Sequence, residues 1–258
     1  MEAIRWDTRK DTFERGQWFN GRIHEDRSDL SPNGELFVYL AMQYGSERGK
    51  EVWTGISKPP WFIPLALWSK DHTYYGGGVF LDDHRLLLNH PPSDAVPRPG
   101  CEPKSDLRVD ANPKPHAEYV QWHRLERDGW VLRQEMVFER VQAKNRYTMH
   151  YVTHIPEERV RRPPADGMPL IVLARRLAKS YSIVKEFRVE GASNEIELPP
   201  GPLDWLDWDL DGRLIALSGG RIWAATLDGN RISRFAELLD LLGDAPEERT
   251  PPPSAREW

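Results

Sequence analysis

Short strand-like runs, each closed by a glycine turn, recur along this chain without ten-residue helical patterns between them. That grammar constrains the fold more than any other feature of the sequence. It is clearest near the end, where Asp211-Gly212, Gly219-Gly220 and Asp228-Gly229 punctuate the runs Arg213 to Ser218 and Arg221 to Leu227. Tight turns that need positive φ select Gly, Asn or Asp, so a Gly-Gly pair between two such runs is a hairpin signal. Both faces of each run carry apolar side chains, as in strands covered on each side. Leu203 to Leu210, with Trp205 and Trp208, supplies a third strand of this antiparallel meander.

The grammar appears twice more. Ser31-Pro32-Asn33-Gly34 is a turn before the strand Glu35 to Tyr44, and the polar loop Gly45 to Lys50 leads to Glu51 to Ser57. Arg127-Asp128-Gly129 separates Tyr119 to Leu125 from Trp130 to Phe138, and Tyr147 to Ile155 continues the alternation. Leu170 to Leu173 reads as a buried strand, so the stretch Ile171 to Ser180 is assigned as strand rather than helix. Regularly spaced short strands predict an all-β fold of antiparallel meanders. One C-terminal helix is expected at Ile232 to Leu242, where apolar residues fall at helical spacing and Gly243 is a suitable stop.

The stretch His90 to Pro115 concentrates Pro, Asp, Lys and Gly and reads as a long, mobile surface loop. The organisation expected is therefore one β-rich domain over 1–242, with that proline-rich loop at 90–115, and an extended arm over 243–258. The arm is either a free tail or is drawn back onto the body by Trp258.

The D-x-S-P-N-G pattern at Asp29 to Gly34, followed by an alternating strand, resembles the blade motif of TolB- and WD40-type β-propellers. The Trp-Asp-x-Asp-Gly-Arg-Leu run at Trp208 to Leu214 is similar. In such repeats the Asp and Ser side chains brace the turn by bonding to backbone and Gly supplies the positive φ. The whole chain also resembles a set of bacterial proteins to which no activity attaches. A blade takes about 40–45 residues, so 258 residues less the proline loop and the arm leave roughly five blades at most. The resemblance thus implies a small or incomplete β-propeller, with a two-layer β-sandwich as the alternative.

Charge and composition narrow the function classes. A net charge of -5 argues against a general nucleic-acid binder, which would carry a strong basic excess. The single cysteine, Cys101, excludes an internal disulfide and a cysteine-based zinc site. The longest apolar run, Trp61 to Trp68, is far short of a membrane span, and the first residues lack an apolar signal region. The expected address is cytoplasmic, with neither a membrane nor a nucleic acid as partner.

Candidate chemistry is sparse. Tyr75-Gly76-Gly77-Gly78 precedes a strand and lacks the Lys-Ser/Thr pair of a phosphate loop, so close backbone approach explains its glycines. His150 and His154 lie four apart on a strand, about 13 Å at roughly 3.3 Å per residue, too far to share one metal. His24 and Asp26 share a strand face near the first turn and are the best pair for acid–base work, beside Asp29 in the turn itself. No serine sits in a nucleophile elbow, and nothing identifies a metal site or a redox or nucleotide cofactor. More informative is an aromatic segment in which Trp53, Trp61, Trp68, His72, Tyr74 and Tyr75 crowd together. Most of these rings belong in a core, and the remainder suit a recognition groove. The expectation is a non-catalytic, propeller-like binding module for a protein or peptide. The alternatives are a hydrolase or lyase built on His24 and Asp26 at loop ends, and a structural subunit of a bacterial multiprotein assembly.

Overall fold

A computed structural model describes residues 1–46, 49–142, 149–162, 168–176 and 183–258. By internal contact the chain divides into two units, Met1–Asp128 together with Ala245–Trp258, and Gly129–Asp244. The described residues are mostly strand, in small antiparallel sheets of propeller-blade type, with one α-helix.

In the first unit β1 (Glu2–Asp7) and β2 (Thr12–Trp18) form a ribbon. A four-stranded meander follows, of β3 (Arg22–Leu30), β4 (Phe37–Ser46), β5 (Gly49–Ser57) and β6 (Ala66–Lys70), each strand beside its sequence neighbour. The polar loop expected between β4 and β5 centres on residues 47–48, outside the described residues. The meander buries both faces, which explains why its strands read as apolar on both sides. Val38, Ile56, Ala66 and Trp68 on one face pack with Phe80, Leu86 and Leu88. Those three residues belong to β7 (Gly78–Asp82) and β8 (Arg85–Leu88), which pair with each other. On the other face Tyr39 and Ala41 pack with Ile23 and Phe62.

The stretch 90–115 departs from the expected mobile loop. Its strand β9 (Arg108–Ala111) lies parallel to β8, and Leu107 joins the core. Leu67 donates its backbone N–H to the Cys101 carbonyl and accepts from Arg98. Proline removes donors but leaves carbonyls, so a proline-rich segment can still be fastened at its other residues. The arm belongs to the first unit from Ala245 onward, where Ala255 is buried and Trp258 packs against the Trp68 core.

Tyr119 to Leu125, expected as a strand, lies instead in the helix α1 (Tyr119–Arg127), which buries Val120 and Leu125. Gly129, read above as a strand turn, stands at φ 86 just past the helix end, a helix-terminating position. The decisive interactions are long-range. Arg124 donates to the carbonyls of Glu25 and Ser28, and Arg127 grips Asp29 at 2.6 and 3.0 Å while donating to the Phe80 carbonyl.

The second unit holds β10 (Trp130–Gln134), β11 (Val137–Gln142), β12 (Met149–Ile155), β13 (Glu157–Arg161), β14 (Leu170–Arg176) and β15 (Ile183–Val189). One sheet runs β10-β13-β14-β15, and β11 and β12 form a separate ribbon. Tyr147, at the start of an expected strand, and 177–180, at the end of another, lie outside the described residues. A second sheet is the expected late meander: β16 (Leu203–Trp208), β17 (Leu214–Ser218) and β18 (Arg221–Ala225). Between β17 and β18, Gly219 and Gly220 take φ of 57 and 76, the double positive φ of a two-residue hairpin.

The predicted C-terminal helix is not formed. After β19 (Leu227–Asp228) come β20 (Arg231–Ile232) and β21 (Ala236–Asp240), and β21 closes the meander beside β18. The exposed ladder of β18 takes up this segment, and Arg221 reinforces the pairing through Asp240 at 2.9 Å and Glu237 at 3.3 Å. Tertiary pairing overrides a helical spacing of only eleven residues. Among the described residues no helix is long and apolar enough to cross a membrane.

Candidate functional site

The glycine loop folds back over the first meander. His24, Leu40, Thr54 and Trp68 are register partners across β3 to β6, so all four side chains point to one face. Gly76 and Gly77 lie on that face. A Cβ on Gly76 would stand 2.7 Å from Leu40, and one on Gly77 only 1.7 Å from the Arg27 carbonyl oxygen. The glycines therefore permit the close backbone contact that the sequence implied.

Beneath the loop a hydrogen-bond chain is fully ordered. The Gly77 N–H donates to Thr54 Oγ1 at 2.8 Å, and Thr54 lies 2.8 Å from His90 Nε2. His90 Nδ1 lies 3.1 Å from the Asp94 carbonyl. A carbonyl only accepts, so Nδ1 carries the proton and Nε2 accepts from Thr54. Burial pushes the His90 imidazole down to about 4, assisted by the nearby Lys70 ammonium. The neutral tautomer is the one this chain requires.

At the outer end of the chain stand three sequence candidates. His72 packs edge-on against Tyr75 at 4.6 Å and at a tilt against Tyr74 at 5.2 Å. Tyr75 and Lys70 both donate to Asp94 Oδ2, at 2.9 and 3.1 Å, and the Lys70 ammonium sits 4.1 Å from the Tyr75 ring centre. The Lys70 hydrogen bond, with those from Ser93 and Tyr75, lowers the Asp94 carboxyl to about 2. Burial lowers Lys70 and raises Tyr75. Lys70, Tyr75 and Asp94 are committed to one another, His72 Nδ1 is buried without a hydrogen-bond partner among the described residues, and Tyr74 is exposed. Trp61 and Trp68 are buried, with Trp68 Nε1 donating to the Ala95 carbonyl, and Trp53 stacks edge-on with Phe19.

His24 and Asp26 do not form a hydrogen bond with one another. Asp26 lies 3.7 Å from its neighbour Arg27, while His24 Nε2 is buried without a partner among the described residues. Burial, with Arg22 and Arg27 adding to it, lowers the His24 imidazole. Asp29 does not brace its turn; it lies in the α1 clasp and also accepts the Phe80 N–H at 2.8 Å. The turn is braced instead by Ser31 and Asn33, whose side-chain oxygens accept the Leu36 and Glu35 N–H groups. Asp209 does the bracing expected of an Asp, accepting the Asp211 and Arg213 N–H groups. His150 lies in β12 with its side chain outside the described residues, and His154 lies 3.5 Å from Glu139. Among the described residues no group of three or more His, Cys, Asp or Glu is arranged to hold a metal ion.

A cleft of about 1260 Å³, which the sequence did not announce, opens in the first unit. Its walls are β1, the Ser31–Gly34 turn, the β7–β8 turn at Leu81–Asp83, and the arginine end of α1, with Phe37, Phe62 and Ile23 below. All of β1 lines it, from Glu2 to Asp7 in succession. Strand side chains alternate, so a groove against one face would meet every second residue. Contact with every residue runs the cleft along the whole length of the strand. β2 occupies one edge of β1, and no strand occupies the other among the described residues.

β1 is held firmly enough to serve as a wall. Glu2 accepts from Arg15 at 2.6 and 2.9 Å and from Arg249 at 2.6 Å, and the Arg15 bonds hold its carboxyl below the usual range. Leu30 and Leu81 both line the cleft and are 44% and 41% exposed, which gives it an apolar stretch facing solvent. Compared with protein-family models, with curated proteins and with solved structures, the chain matches none.

Proposed function

We propose that this protein is a non-catalytic binding module that takes an extended peptide segment of a protein partner into the cleft beside β1. The observation that carries the reading is the unbroken lining of the cleft by Glu2 to Asp7. An open strand edge offers main-chain donors and acceptors to an added strand, while pockets beside it select alternate side chains. Six residues of β1 span about 20 Å at roughly 3.3 Å each, the length of a short peptide. The volume exceeds the ~300–1,000 Å³ of small-molecule pockets. The likeness of the two braced turns to TolB- and WD40-type blades supports the same reading, since such scaffolds carry binding surfaces on rigid small sheets.

The test is selection of displayed random peptides on the whole chain, followed by N-methylation of the selected sequence at alternate backbone nitrogens. Strand addition predicts that one set of alternate N-methyl groups abolishes binding and the other is tolerated. Leu30→Glu should remove binding without changing the melting temperature. A selection that yields no cleft-dependent peptide, or a peptide indifferent to N-methylation in both sets, overturns the reading.

A further inference from the structure

The charges around the cleft divide into two groups, and the division is informative. Two of its arginines are paired with carboxylates, and the third, Arg124, keeps its full charge while bonding backbone carbonyls. Arg127 is held by Asp29 and Asp128, Arg5 by Glu14 at 2.6 Å, and Arg124 by the carbonyls of Glu25 and Ser28. Four lining carboxylates, Glu25, Glu35, Asp82 and Asp83, have no cationic partner among the described residues. Asp82 and Asp83 accept only the backbone N–H groups of His84 and Asn33, at 2.8 and 2.9 Å, and Glu35 meets only the Asn33 amide at 3.4 Å. Eight lining carboxylates thus face three arginines and the Met1 ammonium, so the rim is net negative beside an apolar strip and an open strand edge. Glu35 and Asp83 both meet Asn33, and among the described residues no group of three carboxylates converges as a metal would need.

Resting on the peptide-cleft reading above, we infer that the occupant is a basic segment: an extended peptide with Lys or Arg side chains directed to Glu25, Glu35, Asp82 and Asp83, and an apolar side chain on Leu30 and Leu81. Strand geometry fits this pattern. Alternate residues of an added strand point to opposite sides, so a sequence alternating basic and apolar residues places each type against its own wall. Rim charges of this sort act mainly on association rate and partner choice, and salt screens them.

The experiment uses the full chain and three synthetic peptides of equal length and identical apolar positions, with Lys/Arg, Gln or Glu at the alternate positions. Binding is read by fluorescence anisotropy at about 50 and about 500 mM salt. The expected result is that the basic peptide binds at least ~10-fold tighter than the Gln peptide at low salt. That advantage should shrink several-fold at high salt, and the Glu peptide should bind weakest. In the double variant Glu25→Lys/Glu35→Lys the preference should fall by about 10-fold or more while Gln-peptide affinity stays as it was. Glu25→Gln/Glu35→Gln should lie between. Neither carboxylate accepts a backbone N–H among the described residues, and an unchanged melting temperature checks that both variants remain folded. Equal binding of all three peptides overturns the charge inference and leaves the peptide cleft standing. Binding by none of them, together with a failed open selection, overturns both.

Discussion

His90 provides the most direct check on the architecture beneath the glycine loop. The ring is fully buried between Thr54 and the Asp94 carbonyl, and its pKa is depressed to about 4 from the ordinary 6.5. Protonation would make Nε2 a donor facing Thr54. The Thr54 hydroxyl would then have to accept from both His90 and Gly77 and turn its own proton away. Because the folded pKa lies below the unfolded one, the unfolded chain takes up the proton first. The stabilisation is complete above pH 6.5 and is lost as pH falls towards 4. At 1.36 kcal/mol per unit, the loss from this one group is about 3 kcal/mol by pH 4. That is a large fraction of the ~5–15 kcal/mol that stabilises a domain. Lys70, His72 and Asp94 set the charge environment around the ring. His24 is lowered in the same direction, so the wild-type slope contains both histidines. His90→Gln isolates the effect, because it removes the titration whatever it does to absolute stability. Urea unfolding at half-unit steps from pH 7 to 4 should show the variant losing about 3 kcal/mol less than wild type across that range. The NMR signal of the His90 ring should stay in its neutral position down to about pH 5. Equal slopes in the two proteins, or a ring that titrates near 6.5, would refute the buried-chain argument.

Gly77→Ala places a Cβ 1.7 Å from the Arg27 carbonyl at a φ of +73, and should cost about 3 kcal/mol or more by urea unfolding; an unchanged midpoint would show the loop is not seated there. Gly220→Val forces a β-branched residue into positive φ and should cost roughly 1–3 kcal/mol, read as a lowered melting temperature. Asp29→Asn leaves the Arg127 guanidinium short of its bidentate partner and should destabilise the first unit by roughly 3 kcal/mol. If its unfolding midpoint matches wild type, the α1 clasp contributes nothing.

What the sequence revealed, and what it concealed, follows from how local each determinant is. The Gly219-Gly220 hairpin is written in two adjacent residues whose φ values only glycine adopts freely, so it could be read directly. The same holds for Gly76 and Gly77, where bulky neighbours in sequence announce a close approach. α1 and β21 were exchanged because each is decided at long range. The Tyr119 to Leu125 segment becomes helical where Arg124 and Arg127 can reach residues nearly a hundred positions earlier. The Ile232 to Leu242 segment becomes a strand because β18 offers it an unfilled edge. The proline count at 90–115 hid a parallel pairing with β8, which no local pattern encodes.

The candidate site divides in the same way. Aromatic clustering drew attention to His72, Tyr74 and Tyr75, whose rings meet, but it could not separate them from Trp61 and Trp68, whose rings are buried. A ring's burial depends on which side of a strand it leaves and what covers that side. The cleft left still less trace, because its defining property is an edge: an unpaired row of backbone groups belongs to no residue type. The one sequence clue was indirect. Asp29 to Gly34 was singled out as a blade motif, and the cleft wall includes that turn, yet Asp29 itself is spent on Arg127. The lining carboxylates without a cationic partner among the described residues are Glu25 and Glu35 nearby and Asp82 and Asp83 about fifty residues on. A charged rim assembled from residues this far apart becomes visible only when the engaged charges have been subtracted from the free ones.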